Sequence, residues 1–222
     1  MHQPILGDIA VFSTLIPVFA GLVCWRFVRS DVAVVFGAFF FSSALSFMEM
    51  LLGARSINNL WLINVSVLVE TTVLLYVFSR WAGDGISGRV LRAASASYPL
   101  VWIALKLTIE SLSKPSIIAT PLSSVLFSLS AVVVLYRLAQ DLQTSLLNDW
   151  RFWIIGGTFI SASSNVMFFA LQSIIFSQPP EAILRVFTFY WILVIASNLI
   201  YAVGFLCTRY RMNSGGHLAS AA

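Results

Sequence analysis

The stretch INVSVLVETTVLLYVF, residues 63–78, holds a single carboxylate, Glu70, inside sixteen otherwise apolar or uncharged residues. It is long enough to be part of a membrane span, which needs roughly 20 largely apolar residues. Working outward, the 222 residues are 59% hydrophobic and 10% charged, with a mean hydropathy of +0.91. Soluble domains carry about 25% charge, so lipid is the expected solvent.

Seven such runs are predicted, over residues 8–25, 32–53, 59–79, 90–110, 116–139, 150–177 and 183–208. Their length and lack of period-2 alternation exclude barrel strands, and a backbone in lipid must satisfy its own hydrogen bonds, so all are expected to be helices. The expected fold is all-α: one polytopic bundle of seven transmembrane helices over residues 1–208, with a short disordered cytoplasmic tail at 209–222. Placing the amino terminus outside puts nine of the thirteen Lys and Arg residues on the inner side, among them Arg26, Arg80, Arg92, Arg137, Arg151 and Arg209. The net charge of +4 then reflects membrane orientation, with lipid headgroups as partners and no nucleic acid implied. No basic segment precedes the first apolar run, so that run reads as a retained helix. Cys24 and Cys207 fall at inner helix ends, where a disulfide is not expected.

The loops and helix breakers are legible too. RWAGDGISGRV (80–90) reads as a glycine-rich loop, and Asn148 or Asp149 is a candidate cap for the sixth span. Pro17, Pro99 and Pro121 are expected to kink spans one, four and five. Trp25, Trp61, Trp81, Trp150, Trp153 and Trp191 are read as an interfacial belt.

Missing residue types exclude several chemistries. The two histidines, His2 and His217, lie outside the spans, so paired-histidine haem ligation and a histidine-bound zinc site have no ligands in the membrane. No C-x-x-C pair, phosphate-binding glycine loop or Ser-His dyad is present, and no cofactor is expected. The topology invites comparison with rhodopsins, but the last span, YWILVIASNLIYAVGFL (190–206), has no lysine for a retinal Schiff base. SNLIY (197–201) lacks the proline and the spacing of the receptor Asn-Pro-x-x-Tyr signature.

Ionisable groups in a span are expensive, roughly 2.5–3.5 kcal/mol for a central Asp, Lys or Arg on insertion scales, and each is a functional hypothesis. Glu70 is expected near the midplane, with Glu49 and Lys106 roughly 9 Å outward by helical rise. Glu110 is read as a solvated interfacial residue. Ser42, Ser46, Glu49 and Gly53 form one stripe, Ser66 and Glu70 a second. Gly157, Ser161, Asn165 and Gln172 form a third, and Tyr190, Ser197, Asn198 and Tyr201 a fourth. The ordinary explanation of such stripes is helix packing, at under about 1 kcal/mol per polar contact. Glu70 is the exception, because Ser or Gln would pack at less cost. The candidate ligand-binding or proton-linked residues are therefore Glu49, Glu70, Lys106, Asn165, Gln172, Tyr190 and Asn198, around an outward-facing pocket in which Glu49 or Glu70 is the counter-ion of Lys106.

Three segments, VETTVLLYVFSRW (69–81), FWIIGGTFISASSNVMFFAL (152–171) and WILVIASNLIYAVGFL (191–206), resemble small seven-helix membrane proteins found widely in bacteria. The resemblance implies a bacterial inner-membrane protein and, since that group has no settled activity, little about function. The favoured reading is a sensor that binds a small molecule or lipid and signals through a separate cytoplasmic or membrane partner. Alternatives are a proton-coupled transporter using Glu70, a structural subunit, or an intramembrane carboxylate hydrolase resembling lysoplasmalogenases, which requires Glu49 and Glu70 to converge on one bond. A non-enzymatic role is expected.

Overall fold

Helix is the conformation that satisfies an apolar backbone locally, and the computed structural model, which describes residues 5–27, 30–141 and 145–219, is all-helical with no strand among them. The elements are α1 (Ile5–Ser13), α2 (Leu15–Val23), α3 (Ser30–Ala54), α4 (Leu60–Trp81), α5 (Ile86–Thr108), α6 (Ala119–Asp141), α7 (Trp150–Phe176) and α8 (Pro180–Ala219). Short 3-10 turns occupy Trp25–Phe27 and Leu146–Asn148.

Among the described residues, six helical stretches are long and apolar enough to cross a membrane: Ile5–Val23, Ser30–Ala54, Leu60–Trp81, Ala119–Gln140, Trp150–Leu171 and Pro180–Thr208. They coincide with six of the seven predicted spans. The remaining one, 90–110, corresponds to α5, which has the length but is less apolar because Arg89, Arg92, Lys106 and several serines interrupt it. The outward faces of the bundle carry large apolar side chains, Leu100 at 70% and Leu107 at 81% exposure among them. Such surfaces suit lipid, not water.

Packing follows a ring. The α1–α2 pair contacts α3 and α8, α3 packs on α4, α4 on α6, α6 on α7 and α7 on α8, while α5 lies outside the ring against α4 and α6. At the end of the ring bearing Arg26, Arg80 and Arg151, a continuous apolar core forms around Val77, Phe78, Val134, Ile154 and Phe205, with Phe36 and Trp81 beside them. Trp81, expected in an interfacial belt, is buried in this core, and the half-buried Trp150 packs edge to face against it, their centroids 5.2 Å apart.

Prolines act differently from one another. Pro17 has no N–H to give the Ser13 carbonyl, and the first span breaks into α1 and α2 at Thr14, whose own carbonyl takes a hydrogen bond from Ser43 Oγ at 2.8 Å. Pro121 sits in the first turn of α6, where a missing donor is harmless, and not within its interior as the sequence suggests. Asp149 takes the capping role: its Oδ1 accepts the Arg151 N–H at 2.9 Å, and the Arg151 guanidinium forks onto the same carboxylate. The predicted disordered tail is a continuation of α8 to Ala219; no Gly or Pro interrupts the chain between Thr208 and Gly215. Side chains beyond Thr208 lie outside the described residues.

Candidate functional site: a polar cavity around Glu70

The middle of the ring is hollow. A cavity of about 200 Å³ is bounded by Thr14 between α1 and α2, Ser42, Ser43 and Ser46 of α3, Glu70 and Thr71 of α4, and Thr120, Ser123 and Ser124 of α6. Thr158, Ser161 and Asn165 of α7 and Asn198 and Tyr201 of α8 complete its polar wall. Phe39, Val67, Leu74, Phe127 and Ala162 supply apolar surface. Glu70 is the eleventh of the twenty-two residues of α4, so the carboxylate stands at mid-helix, inside the bundle and facing the hollow.

Local sequence explains how the wall is built. On α3, Ser42 and Ser46 are one turn apart, and on α7 Thr158, Ser161, Ala162 and Asn165 follow the three-to-four spacing of one helix face. Ser42 Oγ donates to Glu70 Oε1 across the α3–α4 interface. Tyr201 Oη donates to Thr158 Oγ1 at 3.4 Å, and Asn198 Nδ2 donates to Ser13 Oγ at 2.8 Å, tying α8 to α1 beside the helix break. Tyr201 has room to lie there because residue 157 is glycine; a Cβ would stand 2.7 Å from its ring.

Of the candidate residues, the cavity brings Glu70, Asn165 and Asn198 together. Tyr190 does not line it but donates through Oη to Asn165 Oδ1 at 3.0 Å, so it positions that amide. Glu49 lies two turns along α3 from Ser42, close enough to Glu70 for mutual repulsion, and is half-buried outside the lining. Gln172 belongs to α7, and its side chain lies outside the described residues. Ser66 turns back to the Ile63 carbonyl and contributes nothing to the wall. Sequence reasoning missed α6: Thr120, Ser123, Ser124 and Phe127 have the i, i+3, i+4, i+7 spacing of a single face, a signal present in the chain.

Lys106 corrects an expectation. Its counter-ion is neither Glu49 nor Glu70 but Glu110, with Nζ 2.7 Å from Oε2 and side-chain exposures of 4% and 2%. The reason is topological: α5 sits outside the ring, and Lys106 meets α4 at Asn64, whose Oδ1 accepts from Nζ at 2.8 Å. Glu110, expected to be solvated, accepts hydrogen bonds from Ser116 Oγ and from the Ile118 and Ala119 N–H groups at the start of α6. Burial opposes its charge, but Lys106, Ser116 and those two N–H groups outweigh it and hold the carboxyl down to about 2. Asn64, with Nδ2 donating to the Leu112 and Lys114 carbonyls, fastens the same connector. This second cluster is a structural clasp between α4, α5 and α6.

Among the described residues no three of His, Cys, Asp and Glu converge on a metal position. No protein-family model matches the chain, and neither a curated protein nor a solved structure shows significant similarity to it.

Proposed function

We propose that this is a receptor-like membrane protein that binds a small polar molecule in the central cavity and passes the signal to a separate cytoplasmic or membrane partner. The observation that carries this reading is the position of Glu70. A carboxylate held at mid-helix beside a hollow of about 200 Å³, with no Lys or Arg among the described residues of the wall, leaves room for a ligand where packing alone would close the space. The size is that of a small metabolite or a handful of waters, at roughly 30 Å³ per water.

We further propose seven spans, α5 included, with the amino terminus outside, in a bacterial inner membrane. In that orientation the apolar core around Phe78 and Phe205 seals the inner end of the ring, and Thr120 near the outer end of α6 belongs to the cavity wall. Both features support an outward-facing site. An acid and base acting on one bond is a poorer fit, because Glu70 lines the cavity and Glu49 does not.

One observation favours proton-coupled transport as the second reading. The first span is broken at Thr14, beside the cavity, and interrupted helices at the midplane are a recurring feature of transporter sites.

Native mass spectrometry of the protein in mild detergent, wild type against Glu70→Gln, tests the binding reading. A co-purifying small mass lost in the variant is expected; equal occupancy in both would remove Glu70 from the site. Uptake of that compound into proteoliposomes driven by a pH gradient would move the assignment to transport.

A further inference from the structure

The cavity wall is weighted toward hydrogen-bond acceptors, and this names a ligand class for the site proposed above, on which the inference rests. A Ser or Thr hydroxyl has one proton to donate and two lone pairs. Thr14, Ser43, Thr71, Ser123, Ser124 and Thr158 each donate that proton to a main-chain carbonyl. Ser42 donates its proton to Glu70. Seven of the ten Ser and Thr side chains in the wall have thus committed their donors, and what they present to the hollow is lone pairs. Asn198 turns its amide nitrogen to Ser13 and keeps its carbonyl oxygen as an acceptor, whereas Asn165, whose carbonyl oxygen takes the Tyr190 proton, is the wall's amide donor. Glu70 adds two acceptor oxygens and the one carboxylate of the lining.

With acceptors in the majority and a carboxylate among them, such a wall disfavours anions, and each buried ligand acceptor that finds no donor loses about 1–3 kcal/mol. It suits a ligand rich in N–H donors and bearing positive charge. The cavity is wider than a bare alkali ion needs, and the rings of Phe39, Phe127 and Tyr201 offer apolar and π surface for a short alkyl chain beside a cation. We propose that the site takes a small protonated primary amine, its ammonium group donating to Glu70 and to the surrounding hydroxyl oxygens. The ammonium would also supply the counter-charge that Lys106, committed to Glu110, does not provide.

Calorimetric titration of the detergent-solubilised wild type with ethylammonium, ethanol, tetramethylammonium and sodium chloride tests this. Ethylammonium should bind saturably and at least tenfold more tightly than its neutral isostere ethanol or the donorless tetramethylammonium, and Glu70→Gln should weaken it at least tenfold. If the variant fails to fold, the isostere comparison on wild type decides alone. Ethanol binding as tightly as ethylammonium would overturn the amine while leaving a binding cavity. Sodium binding more tightly than ethylammonium and displacing it would also overturn the amine, in favour of a metal cation. Absence of saturable binding by every probe, together with no co-purifying mass, would overturn both the amine and the binding reading.

Discussion

Lys106 and Glu110 illustrate how much a single residue's meaning depends on its neighbours. They are an i, i+4 pair at the end of α5, almost wholly buried, and they are bound together with Asn64 and Ser116. Removing one member of a buried pair leaves the other uncompensated, at about 3–5 kcal/mol. Glu110→Gln is therefore expected to destabilise the protein by about that amount at neutral pH, measured as unfolding free energy in mixed micelles. The pH dependence follows from the depressed carboxyl of Glu110. Its contribution is fully present above the ordinary value of 4.5 and is lost as pH falls through about 2. The stability gap between wild type and Glu110→Gln should accordingly narrow across that interval, and a gap unchanged down to pH 2 would contradict the clasp.

Among elements, the α7–α8 contact depends on a missing side chain. Gly157 lets the buried Tyr201 ring lie against α7, and Tyr201 then reaches Thr158 on the cavity wall. A Cβ at 157 would stand 2.7 Å from that ring, so Gly157→Ala forces the tyrosine to shift. Overpacking of this kind is expected to cost about 1–3 kcal/mol. Gly156→Ala, where a Cβ meets nothing within 4 Å, is the control and should be near neutral in the same unfolding assay. A similar constraint holds at the α4–α5 turn, where Gly83 has φ +76° and a Cβ on Gly88 would collide with its carbonyl. There the loop expected over RWAGDGISGRV narrows to residues 82–85, with Arg80 and Trp81 belonging to α4 and residues 86–90 to α5.

For the whole molecule, the open question of topology turns on α5. Its two ends carry the connectors 82–85 and 109–118, and 23 helical residues extend roughly 35 Å at 1.5 Å per residue, enough to span a bilayer. In a Cys24→Ala/Cys207→Ala background, Ser113→Cys is expected to react with an impermeant maleimide in intact cells, and Asp84→Cys only after permeabilisation. Labelling of both from the same side would remove α5 from the membrane and leave six spans. Exposure makes both positions suitable, since Asp84 and Ser113 lie at the surface.

Sequence alone determined that the chain is helical and built for lipid, because the length and apolarity of a run suffice to decide how its backbone must be satisfied. It singled out Glu70 for the same reason: a charge at mid-span is expensive wherever the helix packs. The Asp149 cap was legible because capping is local to a few residues. Tertiary structure decided everything that depends on which helices are neighbours. It placed α5 outside the ring and so gave Lys106 to Glu110, brought the overlooked face of α6 to Glu70, and buried Trp81 in the core with Trp150 packed against it. Periodicity tells which residues share a face, but the partner of that face is set by packing between segments far apart in the chain. The hollow at the centre, where six helical segments meet, exists only at that level.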